Sequence, residues 1–348
     1  MAGRYDPFLR GRFPVGVRTI EVRDEVRGRL LPCEIWYPAT ARYAGQDLAP
    51  ETQDAFKVPP LVESRSQAAI RNAEVEPGTF PLILYSHHAG GSRRSATFLC
   101  THLSSHGYIV AALDHSEVIA PELARKEGES AAQKAARAEA IVGGRVPDLQ
   151  LLLDTVLRDS SLHADPAKVG AVGHSLGGWT VLAAPDTEER IRAVVAHAPG
   201  GDSNPKPGIF RAPLTFAWGR DVPALYLVAD QDVPLPLEGM YELFERTPAT
   251  KQMLILRRAD HQHFIDNVEE MHEAVRAMPF LDEAAWIPKE MRPIAELCSG
   301  EQAQIFVRGL TLAHVDARLR RWEEARRFLS ADIAGELARR GVEAIEHF

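Results

Sequence analysis

A serine framed by glycines, followed downstream by aspartates and histidines, holds most of the chemistry legible in this chain. Gly173-His174-Ser175-Leu176-Gly177 reads G-x-S-x-G. An apolar run, Lys168 to Val172, precedes it, and a small-residue segment, Gly177 to Ala184, follows. That order is strand, sharp turn, helix, in which the turn lifts a serine hydroxyl above a sheet at a helix N-terminus. Glycines flank the serine because a side chain at either position would collide with the neighbouring strand or helix. Outside such a context the same five residues are an ordinary Gly-Ser turn.

A serine hydroxyl is a weak nucleophile until a base takes its proton, and the base must itself be oriented, usually by a carboxylate. Two apolar runs downstream end in suitable groups. Ala224 to Ala229 leads into Asp230-Gln231-Asp232, and Met253 to Leu256 leads, after a short polar stretch, into Asp260-His261-Gln262-His263. Asp232 is assigned as the acid, with Asp230 as competitor, because it stands further past the strand and ahead of Val233-Pro234. His261 is assigned as the base, with His263 as competitor. Loops are rich in Asp and His in any case. What favours a functional reading is three correct residue types in the order Ser, Asp, His, each just after a strand. Backbone donors for a developing oxyanion are expected from Leu176, directly after the serine, and from Ala89 in the loop His87-His88-Ala89-Gly90-Gly91. His88, His174 and His263 are candidates for the substrate pocket.

Other spacings offer less. His102 and His106 are four apart, a metal-ligand interval, but no Glu follows His102 as in HExxH. His261 and His263 lack the further ligands a metal needs. There is no GxGxxG fingerprint and no P-loop. The expectation is therefore no metal and no cofactor.

These groups need a scaffold. Val15 to Val22 and Leu31 to Trp36 alternate around the polar turn Arg23 to Gly28, which predicts a β-hairpin. The tract from about 39 to 78 is polar and weakly periodic and predicts a surface excursion with a short helix at most. Phe80 to Tyr85 and Ile109 to Leu113 predict buried strands, with a helix over Arg94 to His106 stopped by Gly107. Ala131 to Ala140 and Val146 to Leu157 predict two helices, or one broken at Gly143-Gly144. Ala193 to His197 is a further strand. The alternation implies a mainly parallel sheet covered on both faces, with functional groups beyond the carboxyl ends of the strands. From Glu301 the pattern predicts helix to the end.

The bulk numbers restrict partners. The 348 residues are 45% hydrophobic and 25% charged, which is ordinary for a globular protein. A net charge of −8 argues against non-specific nucleic-acid binding. No run approaches the length of a membrane span. Met1 to Val17 holds charges and no apolar core of a signal peptide. The three cysteines, Cys33, Cys100 and Cys298, show no CxxC spacing and predict buried thiols. A cytoplasmic location is the expectation.

Taken together, these segments resemble the α/β-hydrolase superfamily, and within it the platelet-activating-factor acetylhydrolase and dienelactone-hydrolase-like group. Arg29-Leu30-Leu31-Pro32 leading to Ile35-Trp36-Tyr37-Pro38-Ala39 is similar to the N-terminal strand signature. Phe80 to His87 with Leu103 to Ala112 is similar to the oxyanion strand, helix and next strand. Gly173 to Gly178 resembles the elbow, and Asp260 to Phe264 the histidine loop. Dienelactone hydrolases proper carry a cysteine nucleophile, so Ser175 points to the serine esterase branch. Ala89 stands where the group often has a larger apolar residue, which would enlarge the acyl pocket. The resemblance implies an α/β-hydrolase catalytic domain over 1–280, and the segment 281–348, outside the catalytic pattern, is expected to be a helical C-terminal extension packed on it. It implies a serine carboxylic ester hydrolase for small-molecule esters of short to medium chain, including phospholipid-type or polyester substrates. The rivals are a catalytically silent binding protein on the same fold and a lipase acting at interfaces. Oligomeric state is left open.

Overall fold

Along the strands, successive side chains fall alternately into two separate cores. On one face lie Leu82, Leu84, Ala171, Val194, Ala196, Tyr226 and Val228. On the other lie Ile83, Tyr85, Val172, Val195, Leu225, Leu227 and Leu254. This is the two-residue period of a pleated sheet buried on both sides. The computed structural model describes residues 5–57, 64–280 and 282–347.

Among the described residues, twelve strands run in chain order as β1 (Val15–Asp24), β2 (Arg29–Pro38), β3 (Asp54–Lys57), β4 (Ser64–Gln67), β5 (Ile70–Arg71), β6 (Phe80–Ser86), β7 (Ile109–Leu113), β8 (Ala164–His174), β9 (Ile191–His197), β10 (Ala224–Ala229), β11 (Lys251–Leu256) and β12 (Ala344–His347). Ten of them form one sheet in the order β12-β11-β10-β9-β8-β6-β7-β2-β1-β5. From β7 to β11 all neighbours are parallel. The β1–β2 hairpin, expected from the alternating N-terminal segment, joins β7 antiparallel.

The principal helices are α1 (Thr97–Ser105), α2 (Ser116–Ile119), α3 (Ala131–Arg158), α4 (Leu176–Ala183), α5 (Leu237–Arg246), α6 (Val268–Ala277), α7 (Ile287–Glu290) and α8 (Gly300–Val315). Leu149, Leu152, Leu153 and Val156 of α3, with Met240 and Leu243 of α5, pack on the first core. Leu99 and Leu103 of α1, with Phe306, Val307 and Leu310 of α8, pack on the second. The architecture is the α/β-hydrolase arrangement expected from the sequence.

Three local expectations are corrected. The α3 segment is one helix despite Gly143, Gly144 and Pro147. A Ser130–Gln133 capping box starts it, and its buried Arg145 and Asp148 are fastened to neighbouring loops. These contacts offset the cost of about 1 kcal/mol for each mid-helix glycine. The described residues of the tract 39–78 hold more regular structure than the short helix expected. Its β3 pairs with β4, its β5 pairs with β1, and Gln67 accepts from the Trp36 indole at 2.6 Å. Finally, the chain does not stay helical to its end. β12 pairs antiparallel with β11 and closes that edge of the sheet. Four residues are too short a run for alternation to register, and the pairing is imposed by the open edge of β11.

Candidate active site

The carboxyl ends of β6, β8, β10 and β11 converge on one rim, and each expected group stands just past one of them. Ser175 occupies the turn between β8 and α4. Its φ of 58° and ψ of −117° are a conformation that non-glycine residues avoid, costing on the order of 1–3 kcal/mol. The surroundings over-determine it. The Ser175 N–H donates to the His197 carbonyl at 2.9 Å, and its carbonyl accepts from Trp179 and Gly200 at 3.0 Å each. The flanking glycines are required by space. A Cβ on Gly173 would lie 2.1 Å from the Gly177 carbonyl oxygen, and one on Gly177 would lie 1.9 Å from that of Ser86. Ser175 is partly exposed while its neighbours on both sides are buried. Leu176 is the first residue of α4, so its N–H has no partner within the helix.

Asp232 and His261 meet. Nδ1 of His261 lies 2.8 Å from Oδ2 of Asp232, and Oδ1 accepts the Leu235 N–H at 2.8 Å. Asp230 turns elsewhere. It pairs with Arg257 at 2.7 Å and accepts the Ala259 N–H at 3.2 Å. Burial presses the His261 imidazole toward its neutral form. The charge and hydrogen bond of Asp232, with a contribution from Asp260, outweigh burial and hold its pKa above the usual value. With Nδ1–H given to Asp232, Nε2 carries the free lone pair.

Of the three pocket candidates, His88 and His174 line up with His261. The His174 ring is 4.7 Å from that of His261 and 5.4 Å from that of His88. Both His174 ring nitrogens are buried, and among the described residues neither meets a partner in good hydrogen-bond geometry. Burial first, then the neighbouring His261, His88 and His197, hold it well below the usual histidine range. Burial, His261 and Arg145 push His88 down to about 3. His263 does not reach the rim. It is wholly buried, its Nδ1 accepts the Asp260 N–H and its Nε2 donates to the Cys298 carbonyl, each at 3.0 Å. It fixes the histidine loop and has no surface to offer a substrate.

The loop after β6 is a tight turn. The Gly91 N–H donates to the His88 carbonyl at 3.0 Å, and Gly90 has φ of +67°. Ala89 sits at the turn's first corner and is partly exposed.

Sequence reasoning missed Asp260. Its Oδ1 accepts both the Val233 N–H, at 3.0 Å, and the His261 N–H, at 2.6 Å, and so clamps the acid loop to the histidine loop. Burial and the nearby Asp232 raise its pKa. Its only signal in the sequence is its place directly before His261. The rings of His102 and His106 bond the carbonyls of Pro7 and Leu9, at 3.0 and 2.9 Å, and anchor the N-terminal segment. Cys33, Cys100 and Cys298 are free and buried. Among the described residues no helix is long and apolar enough to cross a membrane.

The chain is similar to known acetylhydrolases and esterases. A family profile described as platelet-activating factor acetylhydrolase, isoform II, matches residues 10–139, which include the turn at Ala89 and stop short of Ser175. Platelet-activating factor acetylhydrolase of Cavia porcellus is 23% identical over 225 residues, covering 54% of this chain and 48% of that protein. The chain thus spans about half the length of the curated relative it matches. The solved structure of a ferulic acid esterase from Streptomyces cinnamoneus superposes with a TM-score of 0.61 at 23% identity, covering 92% of this chain and 93% of the esterase. The chain has the α/β-hydrolase fold and is similar to the platelet-activating-factor acetylhydrolase group within it.

Proposed function

We propose that the protein hydrolyses carboxylic esters through an acyl-enzyme on Ser175. The observation that carries this reading is the Asp232–His261 hydrogen bond on the rim that also bears Ser175 at its strained turn. In the first half-reaction Ser175 Oγ attacks the ester carbonyl carbon while His261 Nε2 takes the hydroxyl proton. The carbonyl oxygen becomes an oxyanion that accepts hydrogen bonds from the N–H groups of Leu176 and Ala89. The tetrahedral intermediate collapses, the bond to the leaving alkoxide breaks, and His261 returns the proton to it. In the second half-reaction water replaces the alcohol and the same steps run in reverse order, releasing the acid and restoring Ser175. Asp232 holds His261 in the Nδ1–H tautomer and stabilises the imidazolium formed in each half.

The substrates are small-molecule esters. Ala89 leaves room beside the scissile carbonyl for short to medium acyl groups. The names of the relatives, a platelet-activating factor acetylhydrolase and a ferulic acid esterase, point the same way. No metal enters the scheme. A p-nitrophenyl ester series from acetate to palmitate tests the reading. Turnover is expected at the short end, and Ser175→Ala is expected to lose about 10⁶ in kcat while keeping its fold. A serine-directed phosphonate should label Ser175. A fully active Ser175→Ala variant, or an adduct on another residue, would refute the assignment.

A further inference from the structure

A second Ser-His-Asp array lies behind the turn at Ala89. Ser86 Oγ is 2.8 Å from His115 Nε2, and His115 Nδ1 is 3.2 Å from Asp148 Oδ2. All three side chains are fully buried, so no substrate reaches this serine. The array instead supports the loop. The Asp148 carboxylate also accepts from the Ser116 N–H at 2.8 Å and from Arg27 at 2.6 Å. The His115 N–H donates to His87 Nε2 at 3.2 Å, which leaves His87 Nδ1–H to donate to the His88 carbonyl at 2.6 Å.

Arg145 completes the support. It projects from α3, is fully buried and pairs with Glu117. Its Nη1 donates to the His87 carbonyl at 2.5 Å and its Nη2 to the His88 carbonyl at 3.2 Å. Each carbonyl belongs to the same planar unit as the next residue's N–H. In a trans peptide the two point in opposite directions. A guanidinium holding the carbonyls of His87 and His88 therefore turns the N–H groups of His88 and Ala89 away from itself. Hydrogen bonding at a carbonyl also polarises its peptide unit and strengthens the N–H as a donor.

We propose that Arg145 is a positioning residue for the oxyanion hole, aiming the His88 and Ala89 N–H groups by gripping the carbonyls behind them. This rests on the reading of Ser175 as an ester-hydrolysing nucleophile. A guanidinium fits the task because its planar fork presents two parallel donors to two successive carbonyls, whereas an ammonium presents one point charge.

The experiment compares R145Q, R145K and the double variant E117Q/R145Q with wild type on p-nitrophenyl acetate, with thermal melting to establish folding. The double variant leaves no unpaired buried charge, so it keeps the question open to test if R145Q does not fold. R145Q and the double variant should lose roughly 10–100-fold in kcat, less than deletion of an oxyanion donor, with KM within about twofold. R145K should recover part of the loss. Inhibition by phenylboronic acid, whose tetrahedral serine adduct carries an anionic oxygen, should weaken in step with kcat. A merely structural role would lower the melting temperature without linking kcat to boronate affinity. A folded neutral variant with kcat within twofold of wild type overturns the proposal, as does a loss of kcat with boronate inhibition unchanged. If neither neutral variant folds, R145K decides on the same two criteria. An inactive wild type, or an active Ser175→Ala control, would instead overturn the ester-hydrolase reading beneath it.

Discussion

Asp232 uses both carboxylate oxygens at 2.8 Å, one on His261 Nδ1 and the other on the Leu235 N–H, so its orientation is set before it meets the imidazole. Asp230, two residues earlier, spends its carboxylate on Arg257 and on the backbone of Ala259. Asp232→Asn should therefore cost about 10³ or more in kcat, since an amide donates where the histidine needs an acceptor. Asp230→Asn should cost much less activity and show mainly as a lower melting temperature. A crippled Asp230→Asn beside a mild Asp232→Asn would reverse the assignment.

The same pair sets the pH dependence. In the proposed scheme His261 serves as base only when neutral, and its pKa is held above the ordinary value by Asp232 against the opposing effect of burial. kcat/KM should thus rise with pH on its acid limb, with a midpoint above that of a free histidine. In Asp232→Asn the raising influence is lost and burial dominates, so the residual limb should move to lower pH. Asp260→Asn removes a smaller raising influence and should shift the limb down less. The linkage to stability runs the opposite way with pH. A histidine whose pKa is raised by folding stabilises the fold below its unfolded pKa, and that contribution is lost as pH rises through the folded value. pH–rate profiles of the three proteins on one ester measure these shifts, and an unmoved limb in Asp232→Asn would count against His261 as the base.

Ala89 offers a steric and a backbone test at one position. Ala89→Leu should narrow the accepted acyl range and keep acetate esters as substrates, at about 1–3 kcal/mol per displaced methylene in a tight pocket. Ala89→Pro deletes the N–H and should cost roughly 10²–10³ in kcat. Ala89→Gly keeps the N–H and should remain active. If the proline variant hydrolyses acetate esters at the wild-type rate, the second donor is the His88 N–H.

The C-terminal segment is expected to act through stability. Phe306 of α8 is fully buried in the core beneath the sheet. Phe306→Ala should cost about 3–5 kcal/mol by denaturant unfolding, as a cavity in a close-packed core does. A loss below 1 kcal/mol would mean that α8 is a detachable cover.

Chelation gives a last check. The His102 and His106 rings face backbone carbonyls, and both His263 ring nitrogens are engaged by the backbone. Prolonged phenanthroline treatment followed by desalting should leave ester hydrolysis unchanged. Activity lost to the chelator and restored by zinc would contradict the scheme.

What the sequence determined by itself is whatever a short window encodes. The apolar runs placed β6 to β11, and the elbow was legible because Gly173 and Gly177 are dictated by contacts within their own turn and the adjacent strand. The candidate order Ser175, Asp232, His261 was legible because each stands within a few residues of the end of its strand. Tertiary structure decided the rest. Asp232 and Asp230 are chemically identical and two residues apart, and only the folding of one loop against another separates the histidine's partner from the partner of Arg257. His263 reads as a second pocket histidine until the Cys298 carbonyl, supplied from 35 positions away, takes its ring nitrogen. Arg145 and Asp148 lie in a helix whose paired glycines predict a break, and the contacts that keep it whole come from loops far away in sequence. β12 exists because β11 leaves an edge unpaired. Local propensity cannot report such features, because their energies arise in contacts between segments that are distant in the chain.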